Sequence, residues 1–144
     1  MKIVISESQY QRLIEVEQER KVLHIPSLKV FGLDRLEAWN NLQEFLERKG
    51  NPPYSIGGNL VLAELPIESL GNLKSVGQAL VLSNSLIKSL GNLESVGDDL
   101  YLNRTPIQSL GNLKFVGGDL YLRGTPISQS PITGVKVGGG IMRG

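Results

Sequence analysis

The stretch "VGDDLYLNRTPIQSLGNLKF", residues 96–115, decides the fold because it is one unit of a repeat. It follows "IGGNLVLAELPIESLGNLKS" at 56–75 and "VGQALVLSNSLIKSLGNLES" at 76–95, and "VGGDLYLRGTPIS" begins a fourth unit at 116. The units succeed one another every 20 residues without insertions. Such a period is typical of stacked, nearly identical coils, each of which contacts only its neighbours.

Each unit contains two kinds of apolar spacing. Leu100 and Leu102 alternate with Tyr101, which predicts a strand with its leucines facing inward. The apolar residues between 107 and 116 are three apart, and we interpret this run as a tight turn or a single helical turn on the outer side. The glycines at 57, 77, 97 and 117, and those at 71, 91 and 111, predict bends that need close backbone approach or positive φ.

Composition excludes several classes of site and partner. The chain has 144 residues, a formal net charge of +1 and no cysteine, which rules out disulfides, thiolate metal ligands and a cysteine nucleophile. Lysine and arginine are scattered, so the basic stripe of a nucleic-acid-binding protein is missing and we expect no nucleic-acid partner. No apolar run resembles a signal peptide or a membrane span, so we expect neither secretion nor membrane association.

The sequence divides into three regions. Residues 1–55 are predicted to form a helical N-terminal cap, with one helix over 6–20 and a second that begins after Asp34 and ends at Gly50. An alternative role for the helix over 6–20 is partner binding. Residues 56–128 form three full repeat units and a partial fourth, and 129–144 form a C-terminal cap or tail with a last strand near Ile141. An open sheet edge there would favour self-association.

The pattern L-x-L-x-x-T-x-I, as in "LYLNRTPI", resembles the core of the leucine-rich repeat family over residues 56–128. That resemblance implies an α+β repeat fold, a short solenoid with one parallel β-sheet. The family's asparagine, which bonds backbone between coils, is replaced by Leu65, Ser85, Thr105 and Thr125. "MKIVISESQY", "FLERKGNPPYSIGGNL" and the "SLGNLKSVGG"-type units also resemble small leucine-rich-repeat-like proteins of large tailed bacteriophages. This second resemblance implies a phage-encoded protein in the host cytoplasm or in the virion.

Three features could carry chemistry, and each has a plainer explanation. His24 is the only histidine, and without a nucleophile signature nearby we interpret it as a structural or surface residue in a linker. Asp98, Asp99 and Asp119 are acidic, but they lack the spacing of a calcium loop. The glycines at 138–140 lack the lysine and the strand–loop–helix frame of a phosphate loop. We therefore expect no metal, no cofactor and no catalysis.

The remaining candidate is the outward face of the strands. Stacking aligns equivalent outward residues into three columns. These columns are Asn59, Ala79, Asp99 and Asp119; Val61, Val81, Tyr101 and Tyr121; and Ala63, Ser83, Asn103 and Arg123. Tyrosine beside arginine and acids is typical of protein interfaces, although strands also favour tyrosine and valine for packing alone. Within this face we expect the partner-binding residues to be Tyr101, Tyr121, Asp99, Asp119, Asn103, Arg123, Val61 and Val81.

Two functions of different kinds follow from these features. The first is a non-catalytic protein-interaction module that binds a host or phage protein through the sheet face. The alternative is a structural or self-assembling protein associated with the virion, and an enzyme is a remote third.

Overall fold

The structure, a computed structural model, describes residues 22–144, so the helix predicted over 6–20 lies outside the described residues. Strand β1 (Leu23–Ile25), a 3-10 helix (Leu28–Phe31) and helix α1 (Arg35–Arg48) come first. Ten short strands follow: β2 (Tyr54–Ile56), β3 (Leu60–Val61), β4 (Leu73–Val76), β5 (Leu80–Val81), β6 (Ser95–Val96), β7 (Leu100–Tyr101), β8 (Phe115–Val116), β9 (Leu120–Tyr121), β10 (Lys136–Val137) and β11 (Ile141–Met142).

The strands form a parallel β-solenoid of about four coils with one helix near its N-terminal end, as the repeat predicts. The expected single sheet is corrected, because each coil contributes one strand to each of two sheets. Sheet A has the order β1-β2-β4-β6-β8-β10, and sheet B has the order β3-β5-β7-β9-β11. A glycine corner separates the two strands of every coil, so the backbone turns from sheet A to sheet B at that point.

Register follows the sequence period through the central coils. Leu60 pairs with Leu80, Leu80 with Leu100, and Leu100 with Leu120, so these sheet B strands align at the 20-residue spacing. The last coil is one residue longer, since Ile141 pairs with Leu120. The extra residue falls in the loop between β9 and β10. The solenoid thus continues through a fifth strand of sheet B.

The core is a continuous stack of aliphatic side chains. Along the coil that runs from β5 to the end of β6, the inward residues are Leu80, Leu82, Ile87, Leu90, Leu93 and Val96. Full burial of one such side chain contributes about 1.5–3 kcal/mol, so stacked coils hold together although one coil cannot fold alone. Helix α1 covers the N-terminal end of this stack with Trp39, Leu42 and Leu46, and Asp34 caps it by accepting a hydrogen bond from the Glu37 amide at 3.0 Å.

Two columns of glycine make the corners possible, as the sequence predicts. A Cβ on Gly97 would collide with the backbone carbonyl of Gly77 in the coil before, and the same holds one coil later for Gly117 against Gly97. The glycines of the second column, such as Gly91 with φ 57°, adopt left-handed backbone. Close approach therefore explains the first column, and positive φ explains the second.

Of the two alternatives for the run from Ile107 to Val116, the structure has the tight turn: the chain turns at Gly111 and Asn112, without a helical turn, and ends in strand β8. The hydroxyls at the position of the leucine-rich-repeat asparagine do not bridge coils. Thr105 and Thr125 donate to carbonyls of their own coils, Leu102 at 2.8 Å and Leu122 at 2.7 Å. These hydroxyls close the turn that follows each strand of sheet B.

Candidate functional site

The outward face of sheet B carries the candidate residues in the expected columns. Parallel pairing places Val61 beside Val81, Val81 beside Tyr101, and Tyr101 beside Tyr121. The leucines on either side of each of these residues are fully buried, which turns the central column outward. An apolar stripe therefore runs along the solenoid axis and changes from aliphatic to aromatic halfway along.

The two tyrosines form an ordered stack. Their ring centroids are 4.4 Å apart and their planes differ by only 5°. Each hydroxyl donates to a carboxylate of its own coil, Tyr101 to Asp99 Oδ2 at 3.2 Å and Tyr121 to Asp119 Oδ2 at 3.4 Å. Stacking and hydrogen bonding together hold both rings in one orientation.

The second oxygen of each carboxylate has a structural partner. Asp99 Oδ1 accepts from the Asp119 amide at 2.7 Å, and Asp119 Oδ1 accepts from the Gly140 amide at 2.8 Å. Asn59 Oδ1 bonds the Ala79 amide in the same way at 2.9 Å. This column thus takes over the inter-coil role that the resemblance assigns to the position of Thr105, and sequence reasoning missed it.

The carboxylate also affects the ionisation of the neighbouring phenol. Partial burial raises the pKa of Tyr101 to about 12, and the hydrogen bond and negative charge of Asp99 add to the shift. The phenol therefore stays neutral and remains a hydrogen-bond donor to Asp99 at physiological pH.

The third column is the polar margin of the face. Ala63, Ser83 and Asn103 are partly buried, and Arg123 is exposed. Asn103 Oδ1 is buried and has no hydrogen-bond partner among the described residues. The structure thus gathers all eight candidate residues on one face, with the carboxylates on one side of the tyrosines and Arg123 on the other.

A groove of about 390 Å³ adjoins the stripe at its N-terminal end. Val61, which is 39% exposed, and Leu33, which is 95% exposed, both line it. Arg35 crosses the edge of β3 and donates to the carbonyls of Val61 at 3.4 Å and Ala63 at 3.0 Å. The apolar surface therefore extends from sheet B toward the start of helix α1.

Met142 extends the central column by one residue, and sequence reasoning did not assign it to the face. It pairs with Tyr121 in β11 and is 41% exposed. The signal was in the sequence, because "GGGIM" at 138–142 aligns with "GGDLY" at 117–121 once one inserted residue is allowed.

His24, the histidine weighed for chemistry, lies apart from this face. His24 is in strand β1, not in a linker, and its Nδ1 lies 2.7 Å from Ser55 Oγ across the sheet A pair. Ser55 itself is buried. Within residues 22–144 there is no cluster of three or more His, Asp or Glu side chains that could hold a metal ion.

Comparison of the chain with protein-family models, with curated proteins and with solved structures finds no match. Among the residues that the structure describes, every helix is too short or too polar to cross a membrane.

Proposed function

We propose that this protein is a non-catalytic interaction module that binds another protein through the outward face of sheet B. The observation that carries the proposal is the continuous stripe Val61, Val81, Tyr101, Tyr121 and Met142, which remains partly or largely exposed along the whole sheet. Tyrosine and methionine are enriched in interface cores, where large apolar surface is buried by the partner. A partner segment that lies along the solenoid axis would contact each coil in turn.

The ordered tyrosines support this proposal energetically. A side chain that a partner immobilises loses about 0.5–1.5 kcal/mol of conformational freedom on binding. Tyr101 and Tyr121 are already fixed by stacking and by hydrogen bonds to carboxylates, so most of that loss precedes binding. Rigid aromatic anchors of this kind are typical hot spots.

Charge on the two margins gives the partner an orientation. Asp98 and Asp99 lie on one side of the stripe, and Arg104 and Arg123 lie on the other. A partner with basic residues along one edge and acidic residues along the other would match both margins.

We place the protein in a bacterial host cytoplasm or in a virion, because its repeats resemble those of phage proteins.

The test is affinity capture from bacterial lysate with matched variants. Tyr101→Ala combined with Tyr121→Ala removes both anchors, and Phe115→Ala removes an exposed aromatic side chain from sheet A. Loss of a hot-spot side chain weakens binding by about 30-fold or more, so the double variant should lose the captured protein and Phe115→Ala should retain it. Circular dichroism checks that each variant is folded. If all the folded proteins recovered the captured protein equally, the outward face of sheet B would not be the binding surface.

A second candidate is a self-assembling structural protein. The outer edges of β10 and β11 have no strand partner among residues 22–144, and unpaired edges template association with another chain. Light scattering over a range of concentrations distinguishes the two roles, because the mass of a self-assembling protein keeps rising with concentration, whereas the mass of a binding module does not rise beyond that of a dimer.

A further inference from the structure

The last coil differs from the coils before it in what it leaves uncovered. Ile132, Val135, Val137 and Ile141 are only partly buried, whereas the equivalent residues Val116 and Leu120 are fully buried one coil earlier. β10 and β11 are the terminal strands of sheets A and B, and they meet at the corner formed by Gly138, Gly139 and Gly140.

The hydrogen bonds of the last coil show which backbone groups point away from the solenoid. Along β10, the amide of Lys136 donates to the Lys114 carbonyl at 2.9 Å and that of Gly138 donates to the Val116 carbonyl at 2.8 Å. Along β11, the carbonyl of Gly140 accepts from the Leu120 amide at 2.9 Å and that of Met142 accepts from the Leu122 amide at 2.8 Å. Alternate residues of a strand bond to opposite neighbours, so Val137 and Ile141 direct both their N–H and their C=O outward.

These two residues are related symmetrically to the corner. Val137 precedes Gly139 by two positions and Ile141 follows it by two, and β10 runs into the corner while β11 runs out of it. A two-fold axis that is parallel to the plane of the coil, passes over Gly139 and lies about 2.4 Å outside the coil, half the spacing of paired strands, would place β11 of a second copy against β10 with its direction reversed, and β10 of that copy against β11. Val137 of one copy would then lie opposite Ile141 of the other in an antiparallel, hydrogen-bonded pair.

We propose that the C-terminal coil is a homodimer interface in which two copies meet end to end about this axis. Each Val137–Ile141 pair exchanges two hydrogen bonds, so about four form across the interface. The partly exposed aliphatic residues of both copies become buried at the same time. The same surface of each copy contacts its counterpart, and the outer edges of both β10 and β11 gain strand partners. This is the arrangement of an isologous interface.

Side chains at the corner fit this arrangement. In the proposed register Lys136 lies opposite Met142 of the second copy, which avoids an apposition of like charges. The Arg143 guanidinium is held by its own coil, where it donates to the carbonyls of Ser128 at 2.9 Å and Ser130 at 2.7 Å.

The N-terminal end does not accept a second copy in this way. Helix α1 packs on the first coil, and Arg35 occupies the carbonyls of Val61 and Ala63 at the outer edge of β3. Head-to-tail stacking, which would produce an open fibre, is therefore blocked at sheet B. A closed two-fold dimer remains.

Cysteine pairing tests the register, because the chain has no cysteine of its own. Lys136 and the Met142 of the second copy would form a non-hydrogen-bonded pair with Cα atoms about 4.5 Å apart, a separation that a disulfide spans. A mixture of Lys136→Cys and Met142→Cys proteins should give a cross-linked heterodimer under mild oxidation, and either protein alone should give little. The matched control is a mixture of Phe115→Cys and Tyr121→Cys, one coil earlier.

Proline substitution tests the hydrogen bonds. Ile141→Pro removes an outward N–H from each copy, so two hydrogen bonds across the interface are lost. The dissociation constant of the dimer should therefore rise by about 30-fold. Val61→Pro makes the same change at the opposite edge of sheet B and should leave dimerisation unchanged. Sedimentation of wild-type protein as a monomer at all concentrations, or cross-linking of single-cysteine proteins as efficient as that of the mixture, would overturn the proposal.

Discussion

The two ends of the solenoid close the same kind of core by different means. At the N-terminal end, Trp39 and Leu42 of helix α1 are 4% and 0% exposed and cover the first coil. At the C-terminal end, Val137 and Ile141 occupy core positions but are only partly buried. The stacking energy of a repeat is shared between neighbours, so an end coil with one neighbour has about half the contacts of a central coil.

The difference shows that equivalent sequence positions are not energetically equivalent. Ile141 and Leu100 occupy the same place in the repeat, but Leu100 pairs with a strand on each side and, within residues 22–144, Ile141 pairs with a strand on one side only. Stability is therefore concentrated in the middle and at the helical end. The C-terminal coil has the surface that remains available for a partner.

The largest expected effect is at the helical end. Trp39→Ala should destabilise the protein by about 3–5 kcal/mol, because it removes a large buried side chain and leaves a cavity between helix α1 and the first coil. Ile141→Ala should cost only about 1 kcal/mol, because its side chain is partly solvated already. Urea unfolding followed by circular dichroism measures both, since Trp39 is the only tryptophan and its loss removes the fluorescence signal.

This first comparison is made at protein concentrations low enough to exclude association. A loss of similar size in the two variants would contradict the view that the C-terminal coil is weakly packed. Leu100→Ala, in a fully buried central position, serves as the reference for a complete core contact.

A smaller effect is expected at the glycine corners. Gly97→Ala should destabilise the protein by about 1–3 kcal/mol, because its Cβ would meet the Gly77 carbonyl group and the backbone of two coils must separate. Gly140→Ala should change stability by less than about 0.5 kcal/mol, because Gly140 lies outside the packed glycine column, at the position of Asp119, and the nearest atom is the flexible Met142 Cε at 3.2 Å.

Thermal unfolding of the two glycine variants side by side provides the measurement. If Gly97→Ala left the midpoint unchanged, close stacking of the glycine column would not be what fixes the corner. If Gly140→Ala were as damaging as Gly97→Ala, contact with the backbone of the preceding coil would not be what makes Gly97 necessary.

The sequence predicts the repeat, the inward leucines, the outward columns and helix α1, because each depends on side-chain pattern or capping that one unit displays. Asp34, for example, is a visible N-cap. The second sheet could not be predicted in this way. This is sheet A, whose strands are two to four residues long, and in β4 the buried Leu73 and Val76 are three apart, a spacing that does not indicate a strand. Those strands exist because stacked coils hydrogen-bond to one another.

The candidate site shows the same division. Its columns follow from the period, so Tyr101 and Tyr121 could be placed side by side from the sequence alone. The double use of Asp99, with one oxygen on a tyrosine hydroxyl and the other on the next coil's amide, depends on distances between coils. Met142 was missed because the last coil is one residue longer than the period.

The smallest effect concerns the two outer edges of sheet B. Arg35→Ala should destabilise the protein by about 1 kcal/mol, because the carbonyls of Val61 and Ala63 lose a charged donor and are left to water. The control is Arg48→Ala, which removes an exposed arginine from the last turn of the same helix and should cost a few tenths of a kcal/mol. Urea midpoints compare the two.

Removing Arg35 also opens the edge of β3, so the variant should begin to associate through its N-terminal end, where the wild-type protein does not. If Arg35→Ala matched Arg48→Ala in stability and remained unassociated at that end, the guanidinium would not be what distinguishes the closed edge of the sheet from the open one.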